Sequence, residues 1–246
     1  RAGSKEAAAK AAAVAASPHR PLGAANRQGS VTALHRVGEL RFRDLSVTAA
    51  TGRRILDSVS GVARAGEVMA VMGPSGGGKT TFLDVVAGVV PAGSECEGHV
   101  TLDGSRLRLG EAYPPSLIAY CQQNDLLMPT MSPRECVVFA ALLTLPSRLD
   151  KEEKVARADA ALEETGLTHI ADSMIGDATT MAAAARVSGG ERRRISMAMA
   201  LVASPAVLLC DEVTSGLDSS TAYAMVRTLK ALASRGRIVV LSIHQP

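Results

Sequence analysis

The chain has 246 residues, of which 47% are hydrophobic, 2% are aromatic and none is Trp, so aliphatic side chains must fill its core. Residues 1–36 carry a net charge of +5, and the remaining residues carry −2, because the whole chain has a formal charge of +3. The body of the protein therefore lacks the basic excess of a nucleic-acid-binding face, and it has few rings on which a single strand could stack.

The four cysteines contain no C-x-x-C pair; they are Cys96, Cys121, Cys136 and Cys210. This spacing does not favour a zinc site or a disulfide framework, and it is typical of a reducing cytosolic compartment. No run of 18 apolar residues occurs, so we expect no transmembrane helix within this chain. The first residue is Arg rather than Met, which is expected of a fragment.

Residues 1–36 are rich in Ala, with Ser, Pro and Gly, and they have no apolar face to bury. This composition predicts a disordered leader. A low content of acidic residues together with Arg, Ser and Ala is also typical of a transit peptide, but we favour the disordered cytosolic leader. The folded domain is then expected over residues 37–246.

The first predicted strand is Leu40–Val47, because apolar and polar residues alternate along it. A second strand is predicted at Ile55–Val59, after a turn near Thr51-Gly52. The segment Gly98–Gly104 has the composition of a further strand and turn.

A glycine-rich loop follows the apolar segment Val68–Met72 and precedes a predicted helix, Phe82–Ala87. The loop matches the pattern G-x-x-x-x-G-K-[ST] and consists of Gly73, Pro74, Ser75, Gly76, Gly77, Gly78, Lys79, Thr80 and Thr81. A turn that matches by chance is the alternative, and the flanking strand and helix disfavour it. Such a loop wraps phosphates with backbone N–H groups, while Lys79 reaches the β- and γ-phosphates and the Thr80 hydroxyl can bind Mg²⁺. The loop therefore predicts binding of a nucleoside triphosphate.

The apolar run Leu117–Cys121 is predicted to be a buried strand, and Gln123 follows it. From Ser132 onward the apolar residues recur with helical spacing, which predicts helices over Glu135–Leu145 and Lys151–Thr165. We expect a helical lobe, at about residues 125–186, inserted between the glycine-rich loop and the next functional segment.

Strands and helices alternate in the last third of the chain. A helix is predicted from Val187 to about Ala203, an apolar strand over Ala206–Cys210, a helix over Asp218–Ala233 and a strand over Arg237–Ile243. This alternation predicts an α/β fold with a mainly parallel sheet flanked by helices on both faces.

Two acidic residues, Asp211 and Glu212, directly follow the strand Ala206–Cys210. Because ligands of open α/β sheets bind at the carboxyl ends of the strands, we assign Asp211 to Mg²⁺ and Glu212 as the general base that orients the attacking water. The alternative is a helix N-cap followed by a first-turn acid. Gln123 and His244 also follow strands, and Gln123 could bind Mg²⁺ through its amide oxygen, although each residue taken alone is more often structural.

Taken together, these segments resemble the ATPase cassette of ABC proteins. Six segments are similar, in chain order, to the six motifs of that family: the glycine-rich loop, Gln123, Val187–Glu191, Asp211-Glu212, Ser215–Asp218 and His244. The resemblance implies a P-loop NTPase core with an N-terminal antiparallel β subdomain and the inserted helical lobe. It also implies that Lys79, Gln123, Glu212 and His244 act in ATP hydrolysis with Mg²⁺.

In this family two cassettes dimerise around ATP, and the signature segment of one cassette faces the glycine-rich loop of the other. By resemblance, Ser188, Gly189, Gly190 and Glu191 would bind the partner's nucleotide, and Asp218 would link the two sites. The stretches Ser188–Arg194, Thr130–Glu135 and Ser242–Pro246 resemble the G (White/pigment) subfamily. In that subfamily a membrane domain follows the cassette, so this chain would lack that domain and the end of the cassette.

The function implied is ATP hydrolysis that powers transport of a lipid, sterol or other hydrophobic compound, from the cytoplasmic face of a membrane. A soluble ABC ATPase of translation or DNA repair is the alternative, and it is disfavoured by the absence of a second cassette and of a basic excess. We expect no nucleic-acid partner. Many cassettes of the family stack adenine on an aromatic residue near the first strand, whereas Val47-Thr48-Ala49-Ala50 contains none.

Overall fold

The computed structural model of the chain describes residues 37–123, 127–176 and 187–244. The chain divides into two units, residues 1–31 and 32–246, and every described residue lies in the second. The predicted leader over residues 1–36 lies outside the described residues, as do Asn124, Asp125, Leu126, residues 177–186 of the predicted helical lobe, Gln245 and Pro246.

A four-stranded parallel sheet carries the candidate site. Its strands are β3 (Val68–Met72), β6 (Ile118–Cys121), β7 (Val207–Cys210) and β8 (Ile238–Ile243), in the order β3-β8-β7-β6. Strand β7 is apolar and buried at every position, as expected of a parallel strand covered on both faces. The strand order places the end of β8 between the ends of β3 and β7, although long stretches of sequence separate β3 from the other two.

A second, antiparallel sheet is built from the first part of the chain. It contains β1 (Glu39–Thr48), β2 (Arg54–Arg64), β4 (Glu95–Leu102) and β5 (Ser105–Leu107), in the order β2-β1-β4-β5. Its register shifts between Phe42 and Thr48, where bulges interrupt the β1–β2 pairing. Strand β2 continues beyond the predicted end at Val59. A bulge lies there, between the pairs Leu45–Val59 and Phe42–Gly61, and it interrupts the alternation from which the strand was predicted.

Within residues 37–123, 127–176 and 187–244, five α-helices cover the sheets: α1 (Lys79–Val86), α2 (Pro133–Thr144), α3 (Lys151–Glu164), α4 (Gly189–Leu201) and α5 (Ser219–Ser234). Capping boxes begin α2, α3 and α4, and the side chain of Asp218 caps α5. Helix α1 differs because its N-cap is Gly78 and no side chain caps it. A short 3-10 turn, Thr168–Ile170, follows α3.

Two apolar cores lie on opposite faces of the parallel sheet, because successive residues of a strand point to opposite sides. Val207 and Leu209 belong to the core shared with α1 and the antiparallel sheet. Leu208 and Cys210 belong to the core formed with helices α2 to α5. The α/β class with a parallel sheet is therefore confirmed. The rigid double-sided core fixes the carboxyl edge of the sheet, where β7 ends at Asp211.

Among the described residues, no helix combines the length and the apolar character needed to cross a bilayer.

Candidate nucleotide-binding site

A cleft at the carboxyl edge of the parallel sheet gathers much of the predicted site. It is lined by residues of the glycine-rich loop and by residues that follow three different strands: Ser75, Gly76, Gly78, Lys79, Thr80, Thr81, Gln123, Glu212 and His244. The β1–β2 turn lines the cleft with Ala49, Thr51 and Arg53, and the start of β2 lines it with Ile55. The predicted convergence of strand ends is therefore what the fold produces.

The glycine-rich loop is held by its own backbone and by Lys79. Gly77 N–H donates to the Pro74 carbonyl at 3.1 Å, and the Lys79 ammonium donates to the carbonyls of Gly73 and Pro74 at 3.0 Å each. Gly78 has a left-handed φ of 84°, and a Cβ there would lie 2.9 Å from Leu56 Cδ2. Only glycine meets both demands without strain, so the loop keeps its curve against β2.

Asp211 lies beneath the loop, and it accepts hydrogen bonds from two elements. Thr80 Oγ1 donates to its Oδ2 at 2.7 Å, and Ser242 Oγ donates to its Oδ1 at 2.5 Å. Tyr120 OH lies 3.5 Å from Oδ2 as well. Burial, followed by the charges of Asp211 and Asp84, raises the pKa of Tyr120, so its hydroxyl stays protonated and can only donate to these carboxylates.

The carboxylate of Glu212 points into the cleft, where only 16% of its side chain is exposed. Gln123 Nε2 donates to its Oε2 at 2.8 Å, and Lys79 Nζ lies 3.8 Å from its Oε1. The backbone of Glu212 is left-handed, with φ of 47°, and it is held by a 2.8 Å hydrogen bond from its N–H to Ser242 Oγ. A non-glycine residue in this conformation is strained, and strain of this kind clusters at functional sites.

Ser242 is a site residue that the sequence analysis missed. Its hydroxyl joins both acidic residues, since it donates to Asp211 and accepts from the N–H of Glu212. The available signal was a single polar residue in the otherwise apolar strand β8, where Ser242 is fully buried. A buried hydroxyl needs partners, so such a residue at a strand end indicates a polar network.

Helix α4 begins away from this cleft, at the segment predicted to bind a partner's nucleotide. Ser188 Oγ donates to Glu191 Oε2 at 2.6 Å, and His169 Nε2 lies 3.3 Å from Glu191 Oε1. Burial alone would raise the pKa of Glu191. Hydrogen bonds from the hydroxyl and N–H of Ser188, the contact with His169 and the charge of Arg194 together outweigh burial and lower the pKa.

The cleft lining does not include the five residues that were predicted to face a partner: Ser188, Gly189, Gly190, Glu191 and Asp218. The carboxylate of Asp218 accepts from both the N–H and hydroxyl groups of Ser220 and Thr221, which lowers its pKa strongly. These five residues are therefore placed apart from the residues that line the cleft.

The start of α4, at Gly190, and Asp218 are nevertheless in contact through Thr221. A Cβ added to Gly190 would lie 2.2 Å from Thr221 Cγ2, and Thr221 Oγ1 donates to Asp218 Oδ2 at 2.6 Å. The backbone of α4 thus packs directly against the first turn of α5, and the two predicted partner-facing segments form one surface.

Comparison with known proteins finds a matching family and similar sequences. Residues 56–215 match the family model described as ABC transporter. The chain is 43% identical over 194 residues to ABC transporter G family member 19 of Arabidopsis thaliana, which covers 79% of this chain and 26% of that protein. It is 42% identical over 192 residues to ABC transporter G family member STR of Petunia hybrida, covering 78% of this chain and 22% of that protein. The chain thus spans about a quarter of the length of these relatives.

Proposed function

We propose that this chain, which belongs to the ABC transporter family as an ATP-binding, ATP-hydrolysing domain similar to those of G family members, powers transport across a membrane. We propose a lipid, sterol or other hydrophobic compound as the cargo. The observation that carries the proposal is the cleft in which Lys79, Gln123, Glu212 and His244 meet over the buried Asp211.

Phosphate binding is assigned to the glycine-rich loop and the start of α1. The other four described α-helices have a capping side chain at their N-terminus, whereas α1 has none. Its first N–H groups therefore lack a side-chain acceptor, which leaves them suited to an anion. Lys79, only 7% exposed, supplies the compensating charge beside them.

The residues present fit Mg²⁺. Thr80 Oγ1 and Asp211 Oδ2 lie 2.7 Å apart, and hydroxyl and carboxylate oxygens are the ligands this hard cation prefers. No described group of three or more His, Cys, Asp or Glu side chains is arranged for a metal, but Mg²⁺ keeps waters and phosphate oxygens as its other ligands. We propose that Thr80, Asp211 and Gln123 hold it. When bound, the ion neutralises charge on the β- and γ-phosphates.

Glu212 is the proposed general base. Its carboxylate is an acceptor held by Gln123 at 2.8 Å, so it can orient a water at the end of the cleft and take its proton. His244, at the end of β8, lines the same part of the cleft and is proposed to contact the γ-phosphate. Lys79 Nζ lies 3.8 Å from Glu212 Oε1, and this contact would be lost when the ammonium binds a phosphate of the nucleotide.

A second cassette is the proposed partner for the start of α4. Because Ser188, Gly189, Gly190 and Glu191 do not line the cleft, the N-terminus of α4 is proposed to face the γ-phosphate held by another copy or a related cassette. Asp218 is proposed to join the two sites, since it contacts this segment through Thr221. ATP would then hold the dimer together and hydrolysis would release it.

A transmembrane domain is the second proposed partner. Helix α2 exposes three large apolar side chains: Phe139 is 43% exposed, Leu142 42% and Leu143 70%. We propose that this face meets a membrane domain of the same full-length protein, following the cassette at the cytoplasmic face. The proposed domain spans residues 37–246, with a helical lobe at about residues 125–186 and a leader before residue 37. Nucleic acid is not among the proposed partners.

The test is ATP-dependent transport by the full-length protein that contains this chain, purified and reconstituted in lipid vesicles. Labelled phospholipid or sterol should cross the bilayer with ATP, and the Lys79→Ala variant should bind nucleotide weakly and transport nothing. ATP turnover by a full-length protein that does not insert into vesicles would contradict the transport proposal and favour a soluble ABC ATPase.

A further inference from the structure

The cleft has two ends, and only one of them is used by the residues discussed so far. Gln123, Glu212 and His244 line one end, which the proposed function assigns to the γ-phosphate. The glycine-rich loop lies in the middle, so the rest of a nucleotide must extend toward the opposite end. That end is formed by Ala49, Thr51 and Arg53 of the β1–β2 turn and by Ile55 at the start of β2.

The turn is fixed in position against the glycine-rich loop. Ala49 N–H donates to the Arg53 carbonyl at 2.9 Å, and Gly52 N–H donates to the Ala49 carbonyl at 2.8 Å. A Cβ on Gly78 would lie 3.1 Å from the Ile55 carbonyl oxygen and 3.3 Å from Ile55 Cγ2. The glycine-rich loop therefore packs against the start of β2, which directly follows the turn.

Arg53 and Arg54 are neighbours in sequence with different surroundings. Arg54 Nε lies 3.2 Å from Asp57 Oδ1, and its Nη2 donates to Ser46 Oγ at 3.2 Å. Arg53 and Ile55 instead line the cleft, as expected where side chains alternate between two faces. Within the described part of the chain, no carboxylate or carbonyl accepts a hydrogen bond from the Arg53 guanidinium.

No aromatic ring is available at this end of the cleft. The chain has three Phe, three Tyr and no Trp, and none of these six side chains lines the cleft. Phe42 and Phe82 pack edge to face in the core, with ring centroids 4.8 Å apart. The planar side chain that the turn does offer is the guanidinium of Arg53, which can stack on an aromatic ring system through its face.

Resting on the proposed function, we propose that Arg53 binds the nucleotide base by stacking, with Ile55 as the apolar floor beside it. Stacking uses the faces of the rings and not their hydrogen-bonding edges. A purine presents a larger face than a pyrimidine, so this contact favours purine nucleotides without choosing between adenine and guanine. Arg53 is thus a specificity-determining residue and takes no part in the chemical step.

Calorimetric titration separates this role from simple attraction of phosphate. ATP, CTP and inorganic tripolyphosphate are titrated with Mg²⁺ into the wild-type chain and into Arg53→Ala, Arg53→Lys and Arg53→Tyr. Arg54→Ala is the matched control, since it removes the neighbouring guanidinium that lies outside the cleft lining. We expect Arg53→Ala to weaken ATP binding by about two- to fivefold, the factor that corresponds to an exposed cation–π contact.

The variants should separate charge from shape. Arg53→Lys should keep the affinity for tripolyphosphate and still lose affinity for ATP. Arg53→Tyr should keep wild-type affinity for ATP and the preference for ATP over CTP. Arg54→Ala should change neither the affinity for ATP nor that for tripolyphosphate. Equal losses for ATP and tripolyphosphate in Arg53→Ala, or no loss for either, would overturn the inference. A wild-type chain that bound neither ligand would overturn the proposed function itself, and a wild-type chain that bound tripolyphosphate as tightly as ATP would overturn only the base contact.

Discussion

Thr80 Oγ1 donates to Asp211 Oδ2 at 2.7 Å, although 131 residues separate the two in sequence. The contact joins the glycine-rich loop to the end of β7, and Ser242 extends it to β8. The glycine-rich loop and the ends of β7 and β8 are thus tied together at the carboxylate of Asp211, a residue that is only 2% exposed. A change in any partner of this carboxylate should therefore be felt both in stability and in nucleotide handling.

Replacing Ser242 with Ala tests this network. The Ser242→Ala variant leaves Asp211 Oδ1 and the N–H of Glu212 without their hydroxyl partner in a buried position. We expect a loss of about 1–3 kcal/mol in the free energy of unfolding, measured by urea denaturation, because unsatisfied buried groups keep their desolvation cost. Ser242→Thr retains the hydroxyl and should lose clearly less, and equal losses in both variants would count against the hydrogen bonds as the cause.

Substituting Gly190 tests the contact between α4 and α5. A Cβ there would lie 2.2 Å from Thr221 Cγ2, so Gly190→Ala must displace the Thr221 side chain and its hydrogen bond to Asp218. We expect a loss of about 1–3 kcal/mol in unfolding free energy, typical of overpacking. Gly189→Ala is the control, because its Cβ would meet only Leu217 Cδ2 at 3.9 Å and could add up to about 1 kcal/mol of helix stability. Gly190→Ala as stable as Gly189→Ala would refute the packing argument.

Glu191 should make stability depend on pH at the acidic end. Burial raises its pKa, but the hydrogen bonds from the hydroxyl and N–H of Ser188 and the other contacts of the carboxylate lower it by more, so the pKa is lowered in the folded chain. A lowered carboxyl pKa gives stability that is present above the unfolded value of about 4.3 and is lost as the pH falls through the folded value. The melting temperature of the wild type should exceed that of Glu191→Gln most near neutral pH, and this difference should disappear below about pH 4. A gap that stays constant from pH 7 to pH 3 would show that this carboxylate does not act through its charge.

Ser188→Arg tests the proposed partner site. The variant should bind ATP through its own glycine-rich loop, because Ser188 does not line that cleft, but a bulky cation should block the start of α4 from a partner's nucleotide. Sizing chromatography with ATP should show a monomer. Ser132→Arg is the matched control, since Ser132 closes an equivalent capping box on α2 and its loss costs a similar amount, about 1 kcal/mol. An ATP-dependent dimer in Ser188→Arg would contradict the partner-site proposal.

Hydrophobic periodicity predicted the elements well because most of them have one clear environment. Strand β7 is apolar throughout, and the helices from α2 onward show helical spacing. The three-residue strand β5 was not predicted, because Ser105–Leu107 is too short to carry a pattern and is held by pairing with β4. Helix α1 begins at Lys79 rather than near Phe82, since the first turn of the helix is part of the phosphate loop itself.

The sequence predicted which strand ends meet at the cleft, but it did not predict how their side chains are connected. Gln123, Glu212 and His244 each follow a strand, and the rule that ligands bind at strand ends brings them to one edge. The order β3-β8-β7-β6 sets which of them touch, and it arises from packing between segments far apart in sequence. For this reason neither Ser242 as the link between Asp211 and Glu212 nor Arg53 at the far end of the cleft followed from the sequence.

ATP turnover and ATP-dependent dimerisation of Glu212→Gln give the sharpest test of the proposed catalytic cleft. Glu212 is the proposed general base, held by Gln123 at 2.8 Å, and it is not needed to bind the nucleotide, so the variant should bind ATP as the wild type does. Its turnover should fall by about 10²- to 10⁴-fold, and the ATP-bound dimer should accumulate on a sizing column. Glu152→Gln, an exposed carboxyl in the first turn of α3, is the control and should change nothing. Normal turnover in Glu212→Gln would contradict the assignment and with it the proposed organisation of the cleft.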